Sequence, residues 1–144
     1  MSPSMSGKGT DAEPGGGGRR PGNHSVDGFR DLRFWRQSID LVTAIYRASE
    51  GFPRTEVYGV SSQLRRAVVS IPSNVAERHA RESTRECLHH VSVAQASLAE
   101  VETQLEIALR LEYLAPPDFD LLLKEVSSVG KQLYALRNAL ARRT

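Results

Sequence analysis

The chain has 144 residues, of which 40% are hydrophobic, and its formal net charge is +2 at pH 7. This length favours one domain, and no apolar run approaches the roughly 20 residues that a membrane-spanning helix needs. So small a net charge does not by itself indicate nucleic-acid binding, because electrostatic binding requires cations clustered on one surface. The single cysteine, Cys87, excludes an internal disulfide framework. Together with an N-terminus that lacks an apolar signal region, it predicts a cytoplasmic protein without a membrane partner.

The first 28 residues differ in composition from the remainder of the chain. They contain the segment PGGGGRRPGN and almost no large apolar side chains, and their acidic and basic residues balance. Such a segment buries too little apolar surface to offset the entropy of ordering it. We therefore predict a disordered tail over residues 1–28 and a folded domain over residues 29–144.

Helical spacing of apolar residues predicts the first two helices of this domain. The first covers about residues 32–49 and stops before EGFPRT, where glycine and proline interrupt the pattern. The second covers about residues 58–79, and Ser61 or Ser62 is the candidate cap of its regular part.

Two further helices follow. The third covers about residues 83–111 and opens with STRE, a capping box in which Ser83 caps the first turn and Glu86 bonds back. The fourth follows APPD, where proline suits a first turn, and its apolar residues alternate spacings of three and four in a heptad pattern. Four amphipathic helices with short connections predict an all-α fold, an antiparallel four-helix bundle.

The apolar stripes of the four helices define the predicted core. Its members are Phe34, Leu41, Val42 and Ile45; Val60, Leu64, Ala67, Ile71 and Val75; Val91, Ala94, Leu98, Val101, Leu105 and Ala108; and Phe119, Leu122, Val126, Val129, Leu133, Leu136 and Leu140.

Pro72 lies inside the second predicted helix. A proline there removes a backbone donor and clashes with the preceding turn, at a cost of about 3 kcal/mol. One interpretation ends the helix before the proline and starts a short new one that Asn74 caps. The other keeps one kinked helix, in which Ser70 or Ser73 donates to the freed carbonyl. The apolar spacing continues unbroken past the proline, which favours the kinked second helix.

Apolar side chains outside these stripes predict an oligomer interface. A bundle helix in a monomer needs only one apolar stripe, so a second one indicates a partner surface. The alternative is a wide core face with scattered exposed apolar residues, which are ordinary. The interface candidates are Trp35, Ile39 and Tyr46 on the first helix and Val93, Ile107 and Leu111 on the third.

The basic residues allow two interpretations. Arginine suits phosphate geometry, and oligomerisation would multiply any basic patch, which favours nucleic-acid binding. Alternatively, i,i+4 pairs such as Glu77–Arg81 and Glu106–Arg110 occupy the cations. In the same interpretation the adjacent arginines of LRRA pair with Glu100 or Glu102, between helices or between subunits. The nucleic-acid-binding candidates are Arg65, Arg66, Arg78, Arg81, Arg85, Lys124, Lys131 and Arg142.

No set of residues predicts catalysis. Glu86 and His90 are four residues apart, but no other metal ligands accompany them, and the Glu-x-x-His match ECLH occurs once where a two-metal bundle needs two. Cys87 falls on the core side of its helix, which favours packing over nucleophilic chemistry. We predict a non-enzymatic protein with no catalytic residues, no metal site and no cofactor.

Six sequence elements together resemble one bacterial protein family. They are the segment around Trp35, FP at 52–53, YG at 58–59, SQLRRA at 62–67, SIPSNVAE at 70–77 and LAEVETQL at 98–105. Over about residues 29–140 the chain resembles the four-helix-bundle family named for the 23S ribosomal RNA intervening-sequence proteins. That family is related to the accessory variability determinant of diversity-generating retroelements. One departure from its pattern is Arg78, where the family usually carries glycine.

The resemblance implies subunits that assemble into a ring, a homopentamer, without catalytic activity. It also implies RNA or DNA as a partner and, through the accessory determinants, a reverse transcriptase. We therefore predict a non-enzymatic, ring-forming scaffold that associates with nucleic acid. The alternative is a protein-interaction scaffold without nucleic-acid binding, whose arginines serve subunit contacts.

Overall fold

The computed structural model describes residues 24–143, with side chains described at residue 28 and over residues 30–143. This part of the chain forms four helices, α1 (His24–Ser49), α2 (Val60–His79), α3 (Thr84–Arg110) and α4 (Pro116–Ala141). A short 3₁₀ turn, Arg54–Glu56, lies between α1 and α2. No strand occurs within residues 24–143, so the predicted all-α class is confirmed. The predicted tail lies largely outside the described residues.

Each helix packs against two neighbours: α1 on α2, α2 on α3, α3 on α4, and α4 on α1. Hydrogen bonds across α2 and α3 show that these helices run in opposite directions. Ser97 donates to Ser70 at 2.8 Å, whereas the later Gln104 donates to the earlier Gln63, also at 2.8 Å. With short connections between successive helices, the result is the predicted antiparallel four-helix bundle.

The predicted apolar stripes form the core of the bundle. Burial of each large aliphatic side chain contributes about 1.5–3 kcal/mol relative to its exposure, and every helix supplies fully buried examples, among them Leu41, Leu64, Leu105 and Leu133. Four predicted core residues instead lie half-buried at the margin, namely Val42, Val60, Phe119 and Leu136. None of the helices within residues 24–143 is long and apolar enough to cross a membrane.

Helix α1 begins at His24, about two turns before the start predicted from apolar spacing. A single glycine such as Gly28 costs a helix only about 1 kcal/mol, so it does not stop this one. Further along the same segment, Asp31 forms an ion pair with Arg78 of α2. Asp31, which precedes the start predicted from apolar spacing, is thus attached to α2 by a polar contact, and an apolar pattern does not detect such a contact.

The N-terminus of α2 is capped differently from the prediction. The residue before the helix is Gly59, and Ser61 and Ser62 lie within the first turn. A Glu56 carboxylate oxygen accepts a hydrogen bond from the Val60 amide at 2.9 Å. A Cβ at position 59 would overlap the same oxygen. A side chain at position 59 would therefore make the Glu56 carboxylate shift from the helix end, which gives the glycine of the YG element a structural role.

Helix α2 continues through Pro72, as the favoured interpretation predicts, and the alternative of two separate helices is wrong. Asn74 does not cap a new helix, since its side-chain amide donates to the Ser70 carbonyl at 2.8 Å. The Ser73 hydroxyl donates to the Val69 carbonyl at 2.9 Å. That carbonyl is the neighbour of the one that lacks its usual donor because of the proline. A bend at Pro72 stays a prediction.

The predicted starts of α3 and α4 are both found. The Ser83 hydroxyl accepts a hydrogen bond from the Glu86 amide at 3.3 Å, which is the Ser83 part of the capping box. Helix α4 has proline in its first turn. These two starts were predictable because each depends on residues within four positions along the chain.

Candidate nucleic-acid interface

The charged side chains separate along the long axis of the bundle. The contacts Ser70–Ser97 and Gln37–Ser128 mark its middle. On one side lies a basic half, residues 28–39, 71–97 and 130–143, and on the other an acidic half, residues 40–70 and 98–129. The basic half carries ten arginines and lysines with four acidic residues, and the acidic half carries six with ten. The small net charge of the chain therefore conceals a strongly basic end.

The structure does not bring all eight basic candidates to one surface. Five lie in the basic half and three in the acidic half. The first group is Arg78, Arg81, Arg85, Lys131 and Arg142, and the second is Arg65, Arg66 and Lys124.

Arg65 joins α2 to α1. Its Nε donates to the Ser49 hydroxyl at 2.8 Å, and its Nη2 donates to the Tyr46 carbonyl at 3.1 Å. The guanidinium also lies 4.6 Å from the centre of the Tyr46 ring, a cation–π distance. Within the chain, Arg65 therefore contacts α1 and not the glutamates of α3, whereas a pairing between subunits stays a prediction. Its contacts hold α1 and α2 together, whereas the adjacent Arg66 is exposed.

Arg78 is buried, and this placement corrects its prediction as a surface cation. Its side chain is 10% exposed, and Nη1 lies 2.6 Å from an Asp31 carboxylate oxygen. His79 Nδ1 is 3.5 Å from the same oxygen, and the Cys87 thiol donates to the Arg78 carbonyl at 3.4 Å. Arg78 Nε is buried with no hydrogen-bond partner among the described residues. The Arg78 side chain turns inward and contacts α1. The glycine that the family usually carries at this position has no side chain to make that contact.

Arg81 and Arg85 lie in a shallow groove where α3 begins, together with His89 and His90. Arg81 Nη2 is 2.8 Å from the Glu77 carboxylate, so the predicted i,i+4 pair is confirmed. His90 Nδ1 lies 2.9 Å from the Asn74 amide oxygen, and because that oxygen only accepts, this nitrogen carries the proton. Sequence reasoning weighed these histidines only as metal ligands and missed them as neighbours of the basic groups.

The second predicted pair, Glu106–Arg110, is also confirmed, with 3.2 Å between Nε and the carboxylate. Exposed pairs of this kind contribute about 0.3–0.5 kcal/mol, so they hold their cations weakly. Lys124, Lys131 and Arg142 are exposed on α4 or at its C-terminal end.

An open cleft of about 720 Å³ lies between α1 and α4 within the basic half. We call it the basic cleft. It is lined by Arg30, Asp31, Arg33, Phe34 and Gln37 of α1, by Arg78, and by Gln132, Ala135, Leu136, Ala139, Leu140 and Arg143 toward the end of the chain. Sequence reasoning missed it because α1 and α4 meet only in the folded bundle.

Three titratable groups among the described residues are shifted toward their neutral forms. Burial, followed by the hydrogen bond to the Glu56 carboxylate, raises the pKa of the Tyr113 hydroxyl. Burial raises the pKa of the Cys87 thiol, which keeps it protonated and unreactive. Burial, with a smaller contribution from Asp40, raises the pKa of the Glu125 carboxyl. Among the residues that the structure describes, no three histidine, cysteine or acidic side chains are placed to hold a metal ion.

The interface candidates fall on two corners of the bundle. Trp35, Ile39 and Tyr46 are each more than a third exposed on α1, as are Ile107 and Leu111 on α3, whereas Val93 is half-buried. Helices α1 and α3 do not pack against each other, so their outer faces lie diagonally opposite. The structure thus presents two different apolar faces. We call them the α1 face, formed by Trp35, Ile39 and Tyr46, and the α3 face, formed by Val93, Ile107 and Leu111.

A family model described as "23S rRNA-intervening sequence protein" matches residues 30–135. The match covers most of the four helices. The chain belongs to this family. The resemblance seen in the sequence is thereby confirmed.

A solved structure from Bacteroides thetaiotaomicron, described as a protein of unknown function from the S23 ribosomal protein family, has the same fold. The two chains are 19% identical, with a TM-score of 0.69 over 75% of this chain and 97% of that one. At this identity the likeness establishes the fold alone. No curated protein matches the chain.

The sequence elements by which the chain resembles the intervening-sequence family have structural roles here. Phe52 of the FP element is buried, with its ring 5.6 Å from that of Tyr113. The SIPSNVAE element supplies Ser73 and Asn74, whose side chains donate across the buried proline to the Val69 and Ser70 carbonyls. These elements therefore maintain the bundle, and the basic half is a separate feature of the surface.

Proposed function

We propose that the protein is a non-enzymatic, ring-forming scaffold that binds RNA or DNA through its basic half. The observation that carries the proposal is the collection of ten arginines and lysines against four acidic residues at one end of the bundle. Such a field attracts phosphates, and arginine forks bind them in a geometry that lysine cannot match. The family name refers to 23S rRNA, which agrees with RNA as the partner.

Ring formation is supported by the two apolar faces. A contact between the α1 face of one copy and the α3 face of the next joins unlike surfaces. Contacts of that kind continue head to tail and close into a ring when the rotation allows. A ring would place several basic halves side by side. The five-fold count and a reverse transcriptase partner stay predictions that follow from the family resemblance.

The test is fluorescence anisotropy of the full chain with labelled RNA and with duplex DNA, between about 50 and 300 mM salt. A basic-half variant, Arg85→Glu/Lys131→Glu, is compared with an acidic-half control, Arg66→Glu/Lys124→Glu. Both change one exposed arginine and one exposed lysine, so the change in net charge is the same. We expect the basic-half variant to bind about tenfold more weakly and to lower the log–log salt slope by about 2.

The control is expected to bind within about threefold of the wild type, because its sites lie far from the phosphates. Equal losses in the two variants would contradict binding through the basic half. Absence of binding at low salt, from a folded oligomer, would leave the protein-interaction scaffold. That second function is favoured by Arg65 and Arg78, whose charges serve contacts within the chain.

A further inference from the structure

The basic cleft has the size of a ligand site. Its volume of about 720 Å³ lies within the range of small-molecule pockets, roughly 300–1,000 Å³. It opens in the basic half, beside the surface to which we assign nucleic-acid binding. Its chemistry is therefore relevant to what that surface recognises.

The floor of the cleft is apolar. Phe34 and Leu140 are each 4% exposed and belong to the core, and Leu136 packs half-buried against it. Ala135 and Ala139 on α4 leave the cleft open above this floor, since neither fills it with a long side chain. A flat, weakly hydrated group could cover this surface and release its water.

The rim of the cleft is cationic. Arg30 and Arg33 are exposed on consecutive turns of α1 and line its edge. The one carboxylate in the lining belongs to Asp31, which lies 2.6 Å from Arg78. Because that ion pair compensates its charge, Asp31 does not oppose an anion at the rim.

One wall of the cleft offers a paired donor and acceptor. Gln37 is fixed, because its amide donates to the Ser128 hydroxyl at 2.7 Å and its oxygen accepts from the Gln132 amide. Gln132 retains a second N–H and its carbonyl oxygen, for which the described residues supply no other partner. A side-chain amide that presents a donor and an acceptor next to each other can form two hydrogen bonds with the edge of a nucleobase.

We propose that the basic cleft takes one unpaired nucleotide, with the base on the Phe34–Leu136–Leu140 floor and the phosphate at Arg30 and Arg33. This inference rests on the proposed function and specifies its ligand. A base inside a duplex is stacked and paired and cannot reach the floor. The protein therefore prefers single strands to duplexes of the same sequence, by roughly tenfold or more.

The experiment compares anisotropy of the full chain with a labelled RNA of about ten nucleotides, single-stranded or annealed to its complement. Ala139→Trp fills the cleft without a change of charge, and Ala76→Trp, at an exposed alanine of α2 outside the cleft, is its control. We expect Ala139→Trp to weaken single-strand binding about tenfold and to leave duplex binding within about twofold, while Ala76→Trp changes neither. Arg33→Gln, at an exposed site that the fold does not need, should weaken single-strand binding more than duplex binding.

Equal affinity of the wild type for single strands and duplexes, or equal losses for both in Ala139→Trp, would overturn the inference while the proposed function stands. Binding of neither form by the wild type would instead overturn the proposed function. AMP is the probe for a free nucleotide. If AMP displaces the strand, a free nucleotide is enough to fill the cleft. If AMP does not compete, binding also requires the phosphates of the neighbouring nucleotides in the strand. Displacement supports the nucleotide site directly, and without displacement the Ala139→Trp comparison of single strands with duplexes decides.

Discussion

The buried ion pair between Arg78 and Asp31 joins the end of α2 to the early part of α1. The two side chains are only 10% and 14% exposed, so water screens neither charge well and each compensates the other. Arg78 Nη1 and the carboxylate are 2.6 Å apart, which is close for a charged hydrogen bond. Loss of Asp31 leaves the Arg78 charge buried without its partner, and loss of Arg78 leaves the Asp31 carboxylate with only the exposed His79 nearby.

We therefore expect Arg78→Ala and Asp31→Ala each to lower the free energy of unfolding by about 3 kcal/mol. The double variant should lose clearly less than the sum, because it removes the uncompensated charge. Urea denaturation at a fixed protein concentration measures all three. Arg81→Ala, which breaks the exposed pair with Glu77, is the control, with an expected loss of about 0.5 kcal/mol. Additive single effects would show that the pair is not coupled.

At the scale of elements, helix α3 ends in a backbone conformation that glycine would adopt more easily. Glu112 has φ of 63°. Its amide donates to the Leu109 carbonyl at 3.0 Å, and the Tyr113 amide donates to the Ala108 carbonyl at 2.9 Å. This is the hydrogen-bond pattern of a Schellman motif, in which glycine is the usual residue at the left-handed position.

Glu112→Gly should stabilise the protein by about 0.5–1 kcal/mol. Glycine relieves the strain of the left-handed backbone, and this gain exceeds the loss that comes from the greater entropy of the unfolded chain. Glu102→Gly, inside the exposed face of α3, is the matched control and should destabilise by about 1 kcal/mol. Thermal unfolding followed by circular dichroism measures both. A loss of stability in Glu112→Gly would mean that the glutamate side chain contributes more than the strain costs.

The four helices show which structural features a sequence predicts and which it does not. The heptad spacing of α4 and the Ser83 cap of α3 are local signals, and both were read correctly. The contacts of Arg65 and Arg78 join helices through residues far apart in the chain. Helical spacing identifies the buried face of a helix but not which side chain stands opposite on its neighbour. For that reason the basic cleft and the separation of charge emerged only from the assembled bundle. The cap from Glu56 is a local contact over four residues, and the prediction missed it because it considered only Ser61 and Ser62 as caps.

At the scale of the whole molecule, two asymmetries are arranged at right angles. Charge is separated along the bundle axis, and the two apolar faces lie across its diagonal. Side-by-side association through those faces leaves both ends of each bundle open to solvent. The basic halves then remain available to phosphates whatever number of subunits completes the ring.

This arrangement predicts a head-to-tail assembly. Ile39→Glu on the α1 face and Ile107→Glu on the α3 face should each reduce the mass of the wild-type oligomer to that of a monomer in light scattering, because a buried unpaired charge opposes association. Tyr134→Glu, at a more exposed apolar residue of α4 outside both faces, is the control and should leave the oligomer intact.

An equal mixture of the two disrupted variants distinguishes unlike from like contacts. The intact α3 face of Ile39→Glu can still bind the intact α1 face of Ile107→Glu, so the mixture should form dimers and no larger species. If α1 faces paired with each other instead, Ile107→Glu would keep its wild-type mass and the mixture would gain nothing. Dimers that appear only on mixing are therefore the expected signature of a ring built from unlike faces, since one subunit of each kind blocks growth at both ends.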